Sequence, residues 1–233
     1  MDYVRMGTTG LRVSQICLGM MSYGDPAWRD WVLPYEDALP LVRAAADAGI
    51  TFFDTADVYS VGVSEELTGR MLRQVFPPVR TTSWPRRCAA QWARGKTTSA
   101  CPAGTSWTGQ CVDMGVGTLP WSPLARGILA RPDGDTSTTR SASDTFSPEL
   151  YGGEQQSAIL GVLGTVAEEH GASRATTALA WLLTRPGVTA PIVGVTKPHH
   201  LHDAIAAVEL QLTPQQIDAL ETPYRPRPVL GHS

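Results

Sequence analysis

Short apolar runs alternate along the chain with stripes at helical spacing, and together they set out a repeating unit of strand, loop and helix. Asp2 to Gln15 alternates extended residues around Gly7, Thr8, Thr9 and Gly10, which predicts a hairpin with a glycine-containing turn. Ile16 to Met21 is apolar nearly throughout and ends in Ser22, Tyr23 and Gly24, the pattern of a strand buried on both faces. Tyr35 to Ala48 places Leu39, Leu41, Val42, Ala45 and Ala46 at helical spacing, and Gly49 is suited to stop that helix. A second buried strand follows over Ile50 to Ala56. A second helix covers Ser64 to Val75, with Ser64 as its cap and Glu65 and Glu66 in its first turn.

The pattern resumes with a strand over Val116 to Trp121 and a polar loop over Arg131 to Gly153. Helices near Glu154 to His170 and over Arg174 to Thr184 come next, then a strand over Pro191 to Val195 and a helix over His199 to Val208. Thr213 and Pro214 open a last short helix, a cap followed by proline at the first position. Strands alternating with helices predict an α/β fold with a parallel sheet and right-handed crossovers.

Pro77 to Val112 breaks this order. The stretch holds no Leu, Ile, Phe, Tyr, Asp or Glu, five cations (Arg80, Arg86, Arg87, Arg94, Lys96), three tryptophans and three cysteines. It shows neither period, so the chain divides into an N-terminal portion over 1–74, an aberrant, disordered segment over 75–113 and a C-terminal portion over 114–233, forming one domain overall.

Composition adds mainly exclusions. With 233 residues, 42% of them hydrophobic, the chain has apolar residues enough for one core. No run approaches a membrane span and the N-terminus has no signal-peptide pattern, so a cytoplasmic protein is expected. A net charge of −3 points away from nucleic acid and anionic membrane and toward small-molecule partners. Cys17, Cys88, Cys101 and Cys111 follow no CxxC spacing. His199, His200 and His202 read as a solvated helix start without the further ligands a metal site needs. Nothing in the sequence bears on the oligomeric state. Asparagine is absent, lysine occurs only at 96 and 197, and no histidine precedes His170.

The run Phe53, Asp54, Thr55, Ala56, Asp57, Val58, Tyr59 carries an Asp-x-Ala-x-x-Tyr pattern. Downstream stand Trp121-Ser122-Pro123-Leu124-Ala125-Arg126-Gly127 and Ile192-Val193-Gly194-Val195-Thr196-Lys197-Pro198, after Gly10, Leu11, Val13, Ser14, Leu18 and Gly19 near the start. Taken singly, Asp54 and Tyr59 also read as a loop-starting Asp and a half-buried Tyr, and Ser122-Pro123 as an ordinary turn. In this order the motifs resemble the aldo/keto reductase family, over residues 1 to 74 and about 114 to 225. The resemblance implies a (β/α)8 TIM barrel that reduces small-molecule aldehydes or ketones with NADPH. It also implies catalytic roles for Tyr59, as proton donor to the carbonyl oxygen, and Asp54. Gly19 and Met20, then Ser122, Leu124 and Gly127 at the pyrophosphate, would bind the cofactor. Gly194, Thr196, Lys197 and His200 fall around the 2′-phosphate, with Asp203 near the adenine. His200 stands where relatives often carry arginine, and Ala204 where they often carry asparagine.

The same resemblance leaves a gap. Barrel units one, two, seven and eight are accounted for, whereas units three to six need over about 100 residues and only about 40 separate Val75 from Val116. The family's lysine, histidine and Ser-Asn pair come from those units and have no match here. An impaired reductase, a non-catalytic NADP-binding relative and a non-functional gene remnant are the three readings. Trp84-Pro85-Arg86-Arg87-Cys88, written TGG CCA CGA AGG TGC, reads Ala-Thr-Lys-Val from its third base, as the family's third strand does. A frameshift near residues 76 to 81, followed by a deletion restoring frame near Asp113, accounts for the segment. Sequencing the gene across this segment is expected to show that peptide in the alternative frame; a shifted frame with no family-like peptide refutes the frameshift.

Overall fold

The computed structural model describes residues 1–76, 114–135, 151 and 155–225. The expected disordered segment, the gap it represents and most of the Arg131 to Gly153 loop lie outside those residues. The chain opens with the expected hairpin, β1 (Tyr3–Arg5) paired antiparallel with β2 (Arg12–Ser14), Val4 facing Val13. Three parallel strands follow in the order β4 (Phe53–Asp54), β3 (Cys17–Gly19), β5 (Ile192–Gly194). Gly19 faces Asp54 on one side and Gly194 on the other.

The strand expected over Val116 to Trp121 is reduced to one parallel bridge, Thr118 to Val188. Its backbone still runs beside β5. Thr118 N–H donates to Gly187 O at 3.1 Å, Thr189 N–H to Thr118 O at 2.9 Å and Ile192 N–H to Pro120 O at 2.9 Å. Pro120 has no N–H to extend the ladder. Gly117 serves close approach instead: a Cβ there would stand 2.5 Å from Thr189 Oγ1 and 2.8 Å from Gly7 N. The described residues therefore form an arc of four neighbouring parallel segments.

Period-two alternation gives this arc two faces. On one, Cys17, Phe52 and Ala190 join Val13 in a small buried cluster, against which Val4, Met6 and Leu11 of the hairpin pack. On the other, Ile16, Leu18, Phe53, Val193 and Val195 meet the apolar stripes of the helices, including Val42, Met71, Leu179 and Leu201. Burial on both sides explains why these strands read as continuous apolar runs.

The helices are α1 (Tyr35–Asp47), α2 (Val63–Val75), α3 (Gln155–Glu169), α4 (Arg174–Leu183), α5 (Pro198–Glu209) and α6 (Pro214–Glu221). Gly49 ends α1 as expected, at φ +90°, and lets Ile50 N–H reach back to Ala45 O at 2.9 Å. Thr213 and Gln216 form a reciprocal capping box at α6. Ser64 departs from expectation. It lies inside α2, fully buried, and its hydroxyl donates to Met20 O at 2.8 Å, tying α2 to the end of β3 instead of capping its own helix. No described helix is long and apolar enough to cross a membrane.

Ser64→Ala should lower stability by about 1 kcal/mol, seen as a lower urea midpoint with unchanged slope. An unchanged midpoint would show that this tie contributes nothing.

Candidate active site

Parallel strands bring their C-terminal ends to one face, and there the loops that follow them meet. Gly19, Asp54 and Gly194 are the last residues of their strands. Ser122, Leu124 and Gly127 lie on the loop that follows the bridged segment beside β5. Asp54 is half-buried, and Tyr59 opens a tight turn over Tyr59–Gly62 five residues on. Met20 differs from the rest. Its side chain is fully buried in the helix-facing core, so only its backbone remains at the strand end.

Two loops at this face hold the described non-glycine residues with positive φ: Ser60 and Val61 after β4, and Ser122, Ala125 and Arg126 after the bridged segment. Each such residue costs about 1 kcal/mol, and clustered strain of this kind is typical of loops held in shape for binding. Ser60 shows what holds the first loop. It is buried, its Oγ accepts from Asp25 N–H at 3.3 Å, and a Cβ on Gly24 would lie only 2.2 Å from that Oγ. Gly24 thus allows the Tyr59 loop to dock on the loop leaving β3. In the second loop Ala125 N–H donates to Ser122 O and Gly127 N–H to Leu124 O, both at 2.9 Å, while Gly127 adopts φ +96°. Trp121 stays largely exposed beside it.

The electrostatics of the pair are one-sided. Burial raises the Asp54 carboxyl, and a hydrogen bond from the Tyr59 hydroxyl only partly offsets this. Burial also raises Tyr59, and the Asp54 charge, its acceptance of the phenol proton and the Cys17 thiol all push the same way. Cys17, buried on β3, is itself raised by desolvation and then by Asp54. Every described neighbour acting on the phenol makes it hold its proton more tightly. A general acid needs the reverse at neutral pH, because a free phenol already titrates near about 10.

Beyond β5, Thr196 N–H donates to His200 Nδ1 at 3.3 Å, and His199 and His200 meet edge to face at 4.4 Å. Desolvation first, then the like charges of His199 and Lys197, lower His200 to about 4, against an opposing effect of Asp203. Lys197 is exposed at the start of α5, which has no side-chain cap, begins with a proline and turns its His200 N–H back to Lys197 O at 3.1 Å. Asp203 is turned toward α4, where Thr176 Oγ1 donates to its backbone oxygen at 3.2 Å. The cleft next to it, about 330 Å³ and lined by Ser173, Thr176, His202 and Glu209 among others, touches neither Asp54 nor Tyr59. Among the described residues no cluster of His, Cys, Asp or Glu could hold a metal ion.

Sequence reasoning missed Cys17 and Ser60. Cys17 is two residues before a recognised glycine but carries no motif, and its closeness to Asp54 follows from strand register alone. Ser60 adjoins Tyr59, yet its left-handed conformation has no local signal.

The family model described as the aldo/keto reductase family matches residues 15–83 and 108–224. Among curated proteins, a versiconal hemiacetal acetate reductase of Aspergillus parasiticus is 28% identical over 339 aligned positions, spanning 98% of this chain and 98% of its own. A putative aryl-alcohol dehydrogenase of Schizosaccharomyces pombe is 30% identical over 343 positions, spanning 98% and 97%. An aldo-keto reductase of Fusarium vanettenii is 26% identical over 347 positions, spanning 100% and 93%. These alignments exceed the 233 residues of the chain by more than a hundred positions.

Asp54→Asn tests the burial of the carboxylate. Because the folded-state pKa is raised, the native state binds the extra proton, and Asp54 lowers stability as pH rises from the ordinary carboxylate value through the raised one. The variant should therefore gain stability relative to the parent between about pH 3.5 and 7 in paired urea titrations. A difference independent of pH contradicts the shift.

Proposed function

The chain belongs to the aldo/keto reductase family, and we propose that it is an NADP-dependent oxidoreductase for small aldehydes or ketones whose proton-donating half is impaired. The observation that carries this reading is the Asp54–Tyr59 pair, a phenol held against a carboxylate with no cation among the described residues acting on either.

The phosphate-binding end fits an NADP cofactor. Lys197 supplies an exposed cation at the start of α5, and Gly194 is exposed at the end of β5, with room for a Cβ limited by Ser22 Oγ at 3.0 Å. Ser122, Leu124 and Gly127 offer backbone groups on a loop held in a strained shape. Thr196, His200 and Asp203 complete this side, with His200 presenting a neutral ring, and Gly19 and Met20 contribute backbone at the strand ends. When bound, the cofactor supplies the hydride. Tyr59 must then deliver its proton to the carbonyl oxygen and Asp54 must orient it. Asp54 instead stabilises the protonated phenol. Without a lysine or histidine to oppose this, the rate should fall by factors of about 10² to 10⁴.

The family match skips residues 84–107, inside the segment of aberrant composition. This skip and the length of the relatives support a chain lacking barrel units three to six. The surviving phosphate loops favour a second reading, a non-catalytic NADP-binding protein, and turnover separates the two.

In a fluorescence titration NADPH should bind, with Lys197→Ala weakening it about tenfold and NADH much less. The His200 ring should titrate near 4 in the free protein and move upward when NADP adds negative charge beside it. Slow aromatic-aldehyde-dependent oxidation of NADPH that is lost in Tyr59→Phe supports the impaired reductase. Binding without oxidation supports the second reading, and absence of binding removes both.

A further inference from the structure

The arc of parallel segments ends in two edges that nothing among the described residues closes. β4 forms one edge and residues 116–121 the other, since the order across the arc is β4, β3, β5 and then the segment bridged at Thr118. In a parallel ladder alternate residues of a strand direct both backbone groups to the same neighbour. Phe52 O accepts from Leu18 N–H at 2.9 Å, so the N–H and C=O of Phe53 point away from β3. Thr118 donates to Gly187 O and accepts from Thr189 N–H, so the N–H and C=O of Leu119 point away from β5. Among the described residues no backbone group takes up either set. Unpaired strand edges of this kind recruit another strand.

Apolar surface gathers at the same two places. Among the described residues seven large hydrophobic side chains are exposed, and five of them belong to these edges: Val58 and Val61 on the loop leaving β4, and Met114, Val116 and Trp121 along the other segment. Val61 is the extreme, 85% exposed in a left-handed conformation at φ +53° that β-branched residues avoid. Exposed apolar groups concentrated in this way mark a surface that another surface covers. The inner face of the arc is incomplete as well. Cys17, Phe52 and Ala190 are buried there, while Leu119 and Ile192 are only partly so. A parallel barrel fills its interior with layers of side chains from strands all round, and this arc supplies one side of such a filling.

Whatever closes the arc has to offer a parallel partner to both edges at once. A second copy does so. A two-fold axis along the barrel sets β4 of each copy beside residues 116–121 of the other, every segment runs in one direction, and no edge remains. Four segments from each copy make eight, the number at which a parallel barrel closes around a side-chain-filled interior. The contact joins two different surfaces yet closes after two copies, so it does not propagate. We propose that this chain is a homodimer whose two arcs complete one eight-stranded barrel. The join brings the Val58 and Val61 loop of one copy toward Trp121 of the other, at the face where both strained loops lie, so each site borders two chains. The proposal rests on the sheet edges and not on the reading of Tyr59 or of the cofactor loops.

Light scattering on the purified full chain at micromolar concentration should give twice the 25.0 kDa chain mass. Cross-linking tests the join itself. In protein carrying Cys88→Ser, Cys101→Ser and Cys111→Ser, one tagged version bears Val61→Cys and a differently tagged version bears Trp121→Cys. Co-expressed and treated with a short bismaleimide, the two should link to each other at least about tenfold more than either links to itself. Val61→Lys, a change at an exposed position, should leave the far-ultraviolet circular dichroism unchanged and weaken the dimer at least about tenfold. A mass of one chain, as when residues 77–113 take up the edges, or an open-ended series of higher masses overturns the proposal. So does a dimer in which each version links chiefly to itself, or one whose mass and cross-link survive Val61→Lys undiminished. NADPH binding and turnover can fail without changing any of these results.

Discussion

The parallel pairing of β3 with β4 on one side and β5 on the other is the constraint on which the remaining architecture depends. It places Gly19 between Asp54 and Gly194, so residues from distant parts of the chain end at one edge. Backbone hydrogen bonds from 118–120 to the approach of β5 carry the second strained loop to that edge as well. Helices on one face and the hairpin on the other then bury the sheet from both sides, and the Ser64 hydroxyl fastens α2 to the end of β3.

At that edge the two halves of the site differ in charge. The β5 side presents an exposed Lys197 and a His200 ring whose pKa is lowered to about 4. The β4 side presents Asp54, Tyr59 and the buried Cys17 thiol; burial raises all three, and Asp54 raises the phenol and the thiol further. Burial of a carboxylate without a cation is a cost that a structure bears only when something else fixes the geometry. Here the strand register fixes Asp54 and the dock between Ser60 and Gly24 fixes the Tyr59 loop. The position of the Tyr59 loop is thus kept by backbone, while burial and the Asp54 charge raise the pKa of its phenol.

The core strands were legible because burial on both faces leaves an unbroken apolar run, as in Ile16 to Met21. The ends of α1 and α6 were legible because Gly49 and the Thr213, Pro214 pair act within one turn. Asp54 and Tyr59 stood out because the motif is local. Ser64 misled, since its place before two glutamates imitates a cap while its actual partner, Met20 O, lies far away in sequence. The Val116 to Trp121 strand was overread, because periodicity does not register that Pro120 interrupts the ladder. The alliance of Cys17 with Asp54 depends on pairing between distant segments, which no window of the sequence contains.

The central claim is that Tyr59 is held against a carboxylate that no cation among the described residues compensates. Its most direct test is the phenol pKa itself, followed by NMR of protein labelled at the tyrosine ring carbon, with the signal assigned through Tyr59→Phe. A value above the ordinary phenol value of about 10 is predicted; a value at or below it would contradict the account and restore Tyr59 as a competent acid.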